Sequence, residues 1–305
     1  MRSRYWRATT FSDSFGAVSP RERREAALFF ADLLGRSPQR DAKPAYGEDE
    51  PSGWTPEKER VFREWWKKIG GLEGSYDQWK SFAANRADRG GETNWGITWA
   101  TYRAMHKDAT KAQFQAMSLD DAMNIARRLY RLYKADQIAD PGVALLISDW
   151  QWGGISKKAV NRALVSVGQP AVARFTDKGP DQATVDALNA VDPQQMIRAL
   201  DRERLQAIKD DIAANPSQAV FEKGWTNRAI LRWVQAKMLT NRAADAARWL
   251  NGQSREKLNQ LFAHLTSEEI ATLHKAALTA PGVGAESQFA QVTKARHDAW
   301  VTAAR

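Results

Sequence analysis

Helix-start signals recur along this chain and leave little room for a β-sheet. Ser19-Pro20-Arg21-Glu22 has the spacing of a capping box with proline at the first helical position, and Thr55-Pro56-Glu57 repeats that chemistry. Ser118-Leu119-Asp120-Asp121 and Thr266-Ser267-Glu268-Glu269 open two further helices. Between such signals the apolar residues fall at helical spacing, as in Val61, Phe62, Trp65, Trp66 and Ile69. The pattern predicts helices from Ser19 to about Leu34, from Pro56 to Gly70-Gly71, from Thr98 to about Met105, and from Ser118 to about Asp136. It also predicts a long helix over roughly 193–213, one running from Val220-Phe221-Glu222 to about Leu239, and helices through 241–305. Asp140-Pro141-Gly142, Gly153-Gly154, Gly168-Gln169-Pro170, Lys178-Gly179-Pro180, Asp192-Pro193 and Pro281-Gly282 read as breaks, and 36–54 as a linker. Residues 74–98 hold many Gly, Asn and Asp and read as loop with a small hairpin. The expected fold is mainly α.

One stretch stands apart from the helical pattern. Gly70-Gly71-Leu72-Glu73-Gly74-Ser75-Tyr76 sets a lone carboxylate among glycines at the end of an apolar helix, and Asp88-Arg89-Gly90-Gly91-Glu92-Thr93-Asn94-Trp95-Gly96-Ile97-Thr98 follows soon after. Cleaving a glycosidic bond needs one carboxylic acid that stays protonated and a second group acting on the far side of the sugar. A helix C-terminus disfavours negative charge, so Glu73 is placed to keep its proton, and Trp65, Trp66 and Trp79 are at hand to give it an apolar setting. The glycines do not form a phosphate-binding loop, since neither a preceding strand nor a Gly-Lys-Ser/Thr ending is present.

Composition removes other chemistries. The 305 residues include no cysteine, which excludes disulfides, thiolate nucleophiles and Cys-ligated zinc. His106, His264, His274 and His297 are too few and too scattered for a zinc-hydrolase motif. No apolar run is long enough to cross a bilayer, and the basic start Met1-Arg2-Ser3-Arg4 lacks the apolar core of a secretory signal. The net charge of +9, with pI near 9.7, draws the chain to polyanions. Nucleic acid and an anionic bacterial envelope both fit that charge. Charge alone does not choose between them, and no nucleic-acid-binding motif is in view. Thirteen tryptophans suit either a core or the apolar faces of sugars.

The pattern Gly-Leu-Glu-Gly-x-Tyr followed by Asp-x-Gly-Gly-Glu-Thr-Asn-x-Gly-Ile-Thr resembles the catalytic signature of glycoside hydrolase family 108. These are N-acetylmuramidases found among phage lysins and bacterial secretion-helper muramidases. Ile147-Ser148-Asp149-Trp150-Gln151-Trp152-Gly153-Gly154, Phe175-Thr176-Asp177-Lys178-Gly179-Pro180 and Phe221-Glu222-Lys223-Gly224-Trp225-Thr226-Asn227-Arg228 resemble later landmarks of the family, in order, so the resemblance spans roughly 56–235. It implies a lysozyme-like helical catalytic domain over 55–140 and a helical peptidoglycan-binding half over 141–239. Residues 1–54 form an N-terminal extension and linker, and 240–305 a C-terminal helical extension. The substrate implied is bacterial peptidoglycan, with no metal or organic cofactor. Ser75 stands where the family has a second Gly, and Glu73 and Asp88 lie 15 positions apart, with Tyr76–Arg86 as an insertion.

The resemblance assigns Glu73 as general acid, with Asp88 and Thr93 placing a water opposite the scissile bond. Glu92 is a rival carboxylate, and Asp88 and Thr93 read equally well as turn residues. Tyr76, Asn94, Trp95, Tyr102, Asp149 and Trp152 are the candidate substrate contacts, with Trp150 and Asn161 beside them. Core packing is the competing reading for Tyr102, Asp149, Trp150 and Trp152. Trp225, Asn227 and Arg228 read as structural. The expected role is phage-type wall degradation in lysis or entry. In that role the chain either waits in the host cytoplasm for holin-type release or rides in a virion, and it acts in the periplasm. Segments 1–54 and 240–305 fit docking onto phage tail or virion proteins, or plain helical packing. The competing function is a non-catalytic wall-binding or virion structural protein on a degenerate lysozyme fold.

Overall fold

The computed structural model of the chain describes residues 55–70, 77, 91–106, 108–176 and 179–303. Glu73, Tyr76 and Asp88 lie outside the described residues, as do Trp79 and the extension 1–54. Thirteen α-helices and two small hairpins make up the described structure. The fold is mainly α, as the helix-start signals require, and is consistent with the lysozyme-like class that the resemblance implies.

The order begins with α1 (Pro56–Gly70), the hairpin of β1 (Thr93–Asn94) and β2 (Ile97–Thr98), α2 (Trp99–Met105), α3 (Lys111–Gln115) and α4 (Leu119–Leu132). After a 3₁₀ turn at Ala135–Gln137 come α5 (Pro141–Trp152) and α6 (Lys157–Ser166). The second hairpin, β3 (Phe175–Thr176) with β4 (Gly179–Pro180), leads to α7 (Gln182–Asn189) and α8 (Pro193–Ala214). Another 3₁₀ turn, Pro216–Phe221, leads into α9 (Glu222–Leu239). The chain finishes with α10 (Ala243–Asn251), α11 (Arg255–Phe262), α12 (Ser267–Thr279) and α13 (Gln288–Ala303).

The caps explain the boundaries. Thr55 Oγ1 accepts from Lys58 N at the start of α1. Ser118 with Asp121, and Thr266 with Glu269, form reciprocal capping boxes on α4 and α12. Asp140-Pro141 both breaks the chain and starts a helix, because Asp140 Oδ1 accepts from Gly142 N and Val143 N at 2.9 Å each. The helix read as reaching Asp136 stops at Leu132. Lys134 then takes a left-handed backbone (φ 49°) and a 3₁₀ turn follows.

Helix α5 is the axis of the fold. All nine residues from Gly142 to Trp150 are buried, so it has no solvent face. Leu145 and Ser148 face α1, where Trp65 Nε1 donates to Ser148 Oγ at 2.7 Å within an aromatic cluster of Phe62, Trp65, Trp66 and Tyr130. Val143, Leu146, Ile147 and Trp150 pack with α6, α7 and α8 around Leu164, Leu188, Met196 and Leu200. Gly142 lets α9 come close, since a Cβ there would lie 2.7 Å from the carbonyl oxygen of Ala236.

Asp149, at the centre of α5, is wholly buried and binds three arginines. Arg228 Nε and Nη2 reach Oδ1 at 3.0 and 2.9 Å, Arg232 Nε reaches the same oxygen at 2.9 Å, and Arg204 Nη2 reaches Oδ2 at 2.7 Å. Burial alone would raise the pKa of this carboxyl; the guanidinium groups of Arg228, Arg232 and Arg204 outweigh it and hold the group far below the usual carboxylate range. Arg232 is itself wholly buried and extends the network. Its Nη2 donates to the carbonyl oxygen of Lys68, and its Nη1 to Gln235 Oε1 at 2.6 Å. Gln235 Nε2 and Lys68 Nζ both bond Glu269 Oε1, at 3.0 and 2.7 Å. Helices α1, α5, α8, α9 and α12 are thus joined through one carboxylate.

The extension from 240 onward belongs to the folded body. Leu250, Leu258, Phe262, Leu273 and Phe289 form a core with Leu231 and Val234 of α9, and Trp233 packs against this core and against the α5–α8 core. For these residues the packing reading holds.

Breaking the Asp149 cluster tests this account. Asp149→Asn leaves the buried cations of Arg204 and Arg232, and the half-buried Arg228, without their anion, so urea unfolding is expected to show a loss of about 3–5 kcal/mol. A loss below about 1 kcal/mol would contradict the network's role. Because the folded pKa of Asp149 is depressed, its stabilisation is complete above the unfolded value of about 3.9 and drains away as pH falls below that. The fall in stability below about pH 4 should therefore be shallower in Asp149→Asn than in the wild type.

Candidate active site

The candidate site is built from the two described ends that flank residues 71–90. One end is the C-terminus of α1, where the carbonyl of Lys68 receives the buried Arg232 guanidinium. That carbonyl is one of the four left open at a helix end, so the donated bond both satisfies it and fixes the point from which the chain runs on toward Glu73. The other end is the β1–β2 hairpin, in which Thr93 pairs with Thr98 and Asn94 with Ile97.

The hairpin turn uses two left-handed residues, Trp95 (φ 51°) and Gly96 (φ 74°), which is type I′ geometry. Glycine enters that region freely; a tryptophan does not, and it stays there only when its surroundings hold it. Trp95 Nε1 donates to the carbonyl of Met117 at 3.2 Å. Asn94, 1% exposed, spends its side-chain amide on the backbone carbonyls of Phe114, Gln115 and Met117 at 2.9, 3.2 and 3.3 Å. It thereby closes the C-terminal end of α3.

Thr93 is half-buried on β1. Its partner Thr98 caps α2, accepting from Thr101 N at 3.0 Å. Glu92 pairs with Lys111, whose ammonium sits 4.8 Å above the Trp99 ring, and the Glu92 carbonyl accepts from Trp99 N at 2.9 Å. The rival carboxylate therefore has a cationic partner.

Several candidate substrate contacts turn out to be structural. Asp149 is inaccessible within its arginine cluster, so neither glycan nor stem peptide reaches it. Asn94 is committed to α3. Tyr102 is 3% exposed, 5.6 Å from the Phe114 ring and 4.8 Å from His106, and belongs to the core under the hairpin. Trp65, Trp66 and Trp150 are likewise core residues, and Asn161 fastens α6 to the Ala173 backbone. Trp225 stacks on Phe221, and Asn227 bonds Gln260 and Lys257, as their structural reading requires.

Trp152 remains half-buried and bridges the two ends. Its ring lies 5.7 Å from Trp66 and 6.0 Å from Trp65, and it also packs against the hairpin core that contains Ile97 and Tyr102. Trp152, Thr93 and Trp95 are thus the named residues that the described structure holds beside the ends of 71–90. The arginine cluster was missed in the sequence. Its signal was there in the spacing of Arg228, Arg232 and Gln235, which put three polar groups on one face of α9.

The class this defines is a lysozyme-like helical hydrolase whose candidate acid follows an anchored helix end. Residues 66–154 match the sequence model of the family described as Glycosyl hydrolase 108, and the chain carries a domain of that family. It is a glycoside hydrolase and, in general terms, a peptidoglycan hydrolase of the muramidase class. The solved structure of Brucella abortus SagA is similar over 60% of this chain and 97% of its own, with 24% identity and a TM-score of 0.47. No curated protein matches the chain.

The role given to Asn94 has a direct check. Asn94→Ala leaves buried carbonyls at the end of α3 without their donor and is expected to cost about 1–3 kcal/mol. It should also speed hydrogen exchange of the hairpin amides selectively. Uniform exchange across the protein, with unchanged stability, would contradict the clamp.

Proposed function

We propose that the chain is an N-acetylmuramidase in which Glu73 is the general acid, cutting the glycan between N-acetylmuramic acid and N-acetylglucosamine. The observation that carries this reading is the glycosyl hydrolase 108 match over 66–154, because that segment contains the whole Glu73-to-Thr98 pattern. Glu73 gives its proton to the glycosidic oxygen as the bond to the anomeric carbon breaks. Asp88, as base, and the Thr93 hydroxyl hold a water on the opposite face. That water adds to the anomeric carbon and passes its proton to Asp88. Trp95 and Trp152 set indole faces against the sugars, and Tyr76 is the further aromatic assigned to the substrate.

The anchored end of α1 supports this assignment. Glu73 follows Gly70 by three residues, and Arg232 and Glu269 hold Lys68 from two sides. A general acid has to be held within hydrogen-bond reach of the leaving oxygen, and a helix end fixed three residues before it in sequence limits how far it can stray.

The biological setting we infer is phage-type wall degradation, in lysis or in entry. Two features motivate it: the resemblance to lysins and the basic charge suited to an anionic envelope. Docking to tail or virion proteins through 1–54 and 240–305 is part of that proposal.

Glu73→Gln should abolish clearing of chloroform-permeabilised Gram-negative cells while leaving thermal unfolding unchanged. Activity retained within a factor of about ten would remove Glu73 as the acid, since general acids contribute about 10²–10⁴-fold. Water attack opposite the leaving group yields the α-anomer first. A β-anomer in early NMR spectra of the product would recast Asp88 as a nucleophile.

A further inference from the structure

Helix α1 is fastened at three levels. Near its start Arg127 of α4 grips Glu59, with Nε on Oε2 at 2.9 Å and Nη2 on Oε1 at 3.0 Å. At mid-length Trp65 bonds Ser148 of α5. Arg127 and Ser148 both lie inside the matched segment 66–154. The last turn is held from α9 and from α12, which lie beyond that segment.

The bonds on that turn close a ring. Lys68 Nζ donates to Glu269 Oε1 at 2.7 Å, and Gln235 Nε2 donates to the same oxygen at 3.0 Å. Gln235 Oε1 accepts from Arg232 Nη1 at 2.6 Å, and Arg232 Nη2 donates back to the carbonyl of Lys68. Lys68 is thus gripped by its side chain and its backbone at once, so the turn can neither slide nor rotate about the helix axis. The ring is shielded: the Lys68 and Glu269 side chains are 12% and 11% exposed, and Gln235 and Arg232 are buried. Glu269 Oε2 accepts from Thr266 N at 2.9 Å, so one carboxylate caps α12 and holds α1. A shielded ion pair adds little net stability over an apolar contact of the same volume. What a fully bonded polar network adds is a single fixed arrangement.

Glu73 follows Lys68 by five positions, and Trp66, two positions before Lys68, packs on Trp152 at 5.7 Å. We propose that Glu269, acting through Lys68, is a positioning residue for the general acid, so that the C-terminal extension is a working part of the hydrolase. The proposal rests on the reading of Glu73 as that acid. A general acid misplaced by about 1 Å costs on the order of 10²-fold in rate, so a brace on the helix that leads to it bears on turnover. The ring is shielded from substrate, so it leaves affinity alone.

The test is steady-state kinetics of the full chain on soluble peptidoglycan oligomers, run well below the unfolding temperature of every variant. Glu269→Gln and Lys68→Met should each lower kcat about tenfold and leave KM within about twofold. The double variant should also lose about tenfold, short of the hundredfold that independent effects would give, because both changes break one connection. Thr266→Ala is the comparison. It removes the hydroxyl that accepts from Glu269 N at the start of α12 and leaves the Glu269–Lys68 pair in place. It should lower the unfolding temperature and spare kcat. An equal fall of kcat in Thr266→Ala would overturn the proposal, since lost stability would then explain the whole effect. A multiplied loss in the double variant would overturn it too. Glu73→Gln separates the two readings. If it abolishes turnover while Glu269→Gln and Lys68→Met work at the wild-type rate, the positioning proposal falls alone. If it stays active, the general-acid reading falls and takes this proposal with it.

Discussion

Everything in this protein is organised around one buried carboxylate. Asp149 lies in the middle of a helix with no solvent face and collects guanidinium groups from two other helices. A lone charge at that depth would be intolerable. Three cations convert it into a fixed joint, and the joint has direction. Through Arg232 it reaches the last turn of α1, and through Gln235 and Glu269 it reaches the C-terminal helices. The chain leaves α1 toward Glu73 from that turn. The most buried electrostatics of the molecule and the point where its chemistry is proposed to begin are thus one connected structure.

The second organising device is aromatic. Trp152 ends α5 and touches both the α1 cluster and the hairpin core, so the same helix that carries Asp149 also aligns the two ends of the candidate site. The hairpin is held in a demanding geometry. Trp95 occupies a left-handed conformation, and Asn94 donates its amide nitrogen to the carbonyls at the neighbouring helix end. Backbone strain of this kind persists where surrounding contacts over-determine it, and it is common where a side chain must be presented in one direction.

The helices were legible because their starts are written locally: Thr55, Ser118 and Thr266 cap where the side-chain chemistry says they should, while Asp140, legible as a break, also caps the helix that follows it. The aromatic face of α1 was legible for the same reason, as its spacing fixes what is buried. Long-range assignments fared worse. A charged residue inside an apolar run, as Asp149 is, looks the same in sequence whether it faces a ligand or an arginine. Its partners Arg228 and Arg232 lie 79 and 83 positions away. Asn94 and Tyr102 misled in the same manner, since proximity to a motif said nothing about the α3 carbonyls or the Phe114 ring that claim them.

The central claim is that this chain cuts the glycan strand on the muramic acid side. The most direct measurement is mass spectrometry of fragments released from purified sacculi, with borohydride reduction marking the new reducing ends. The account predicts reduced N-acetylmuramic acid at those ends, appearing with wild type and absent with Glu73→Gln. Reduced N-acetylglucosamine ends, or peptides freed with the glycan intact, would contradict it.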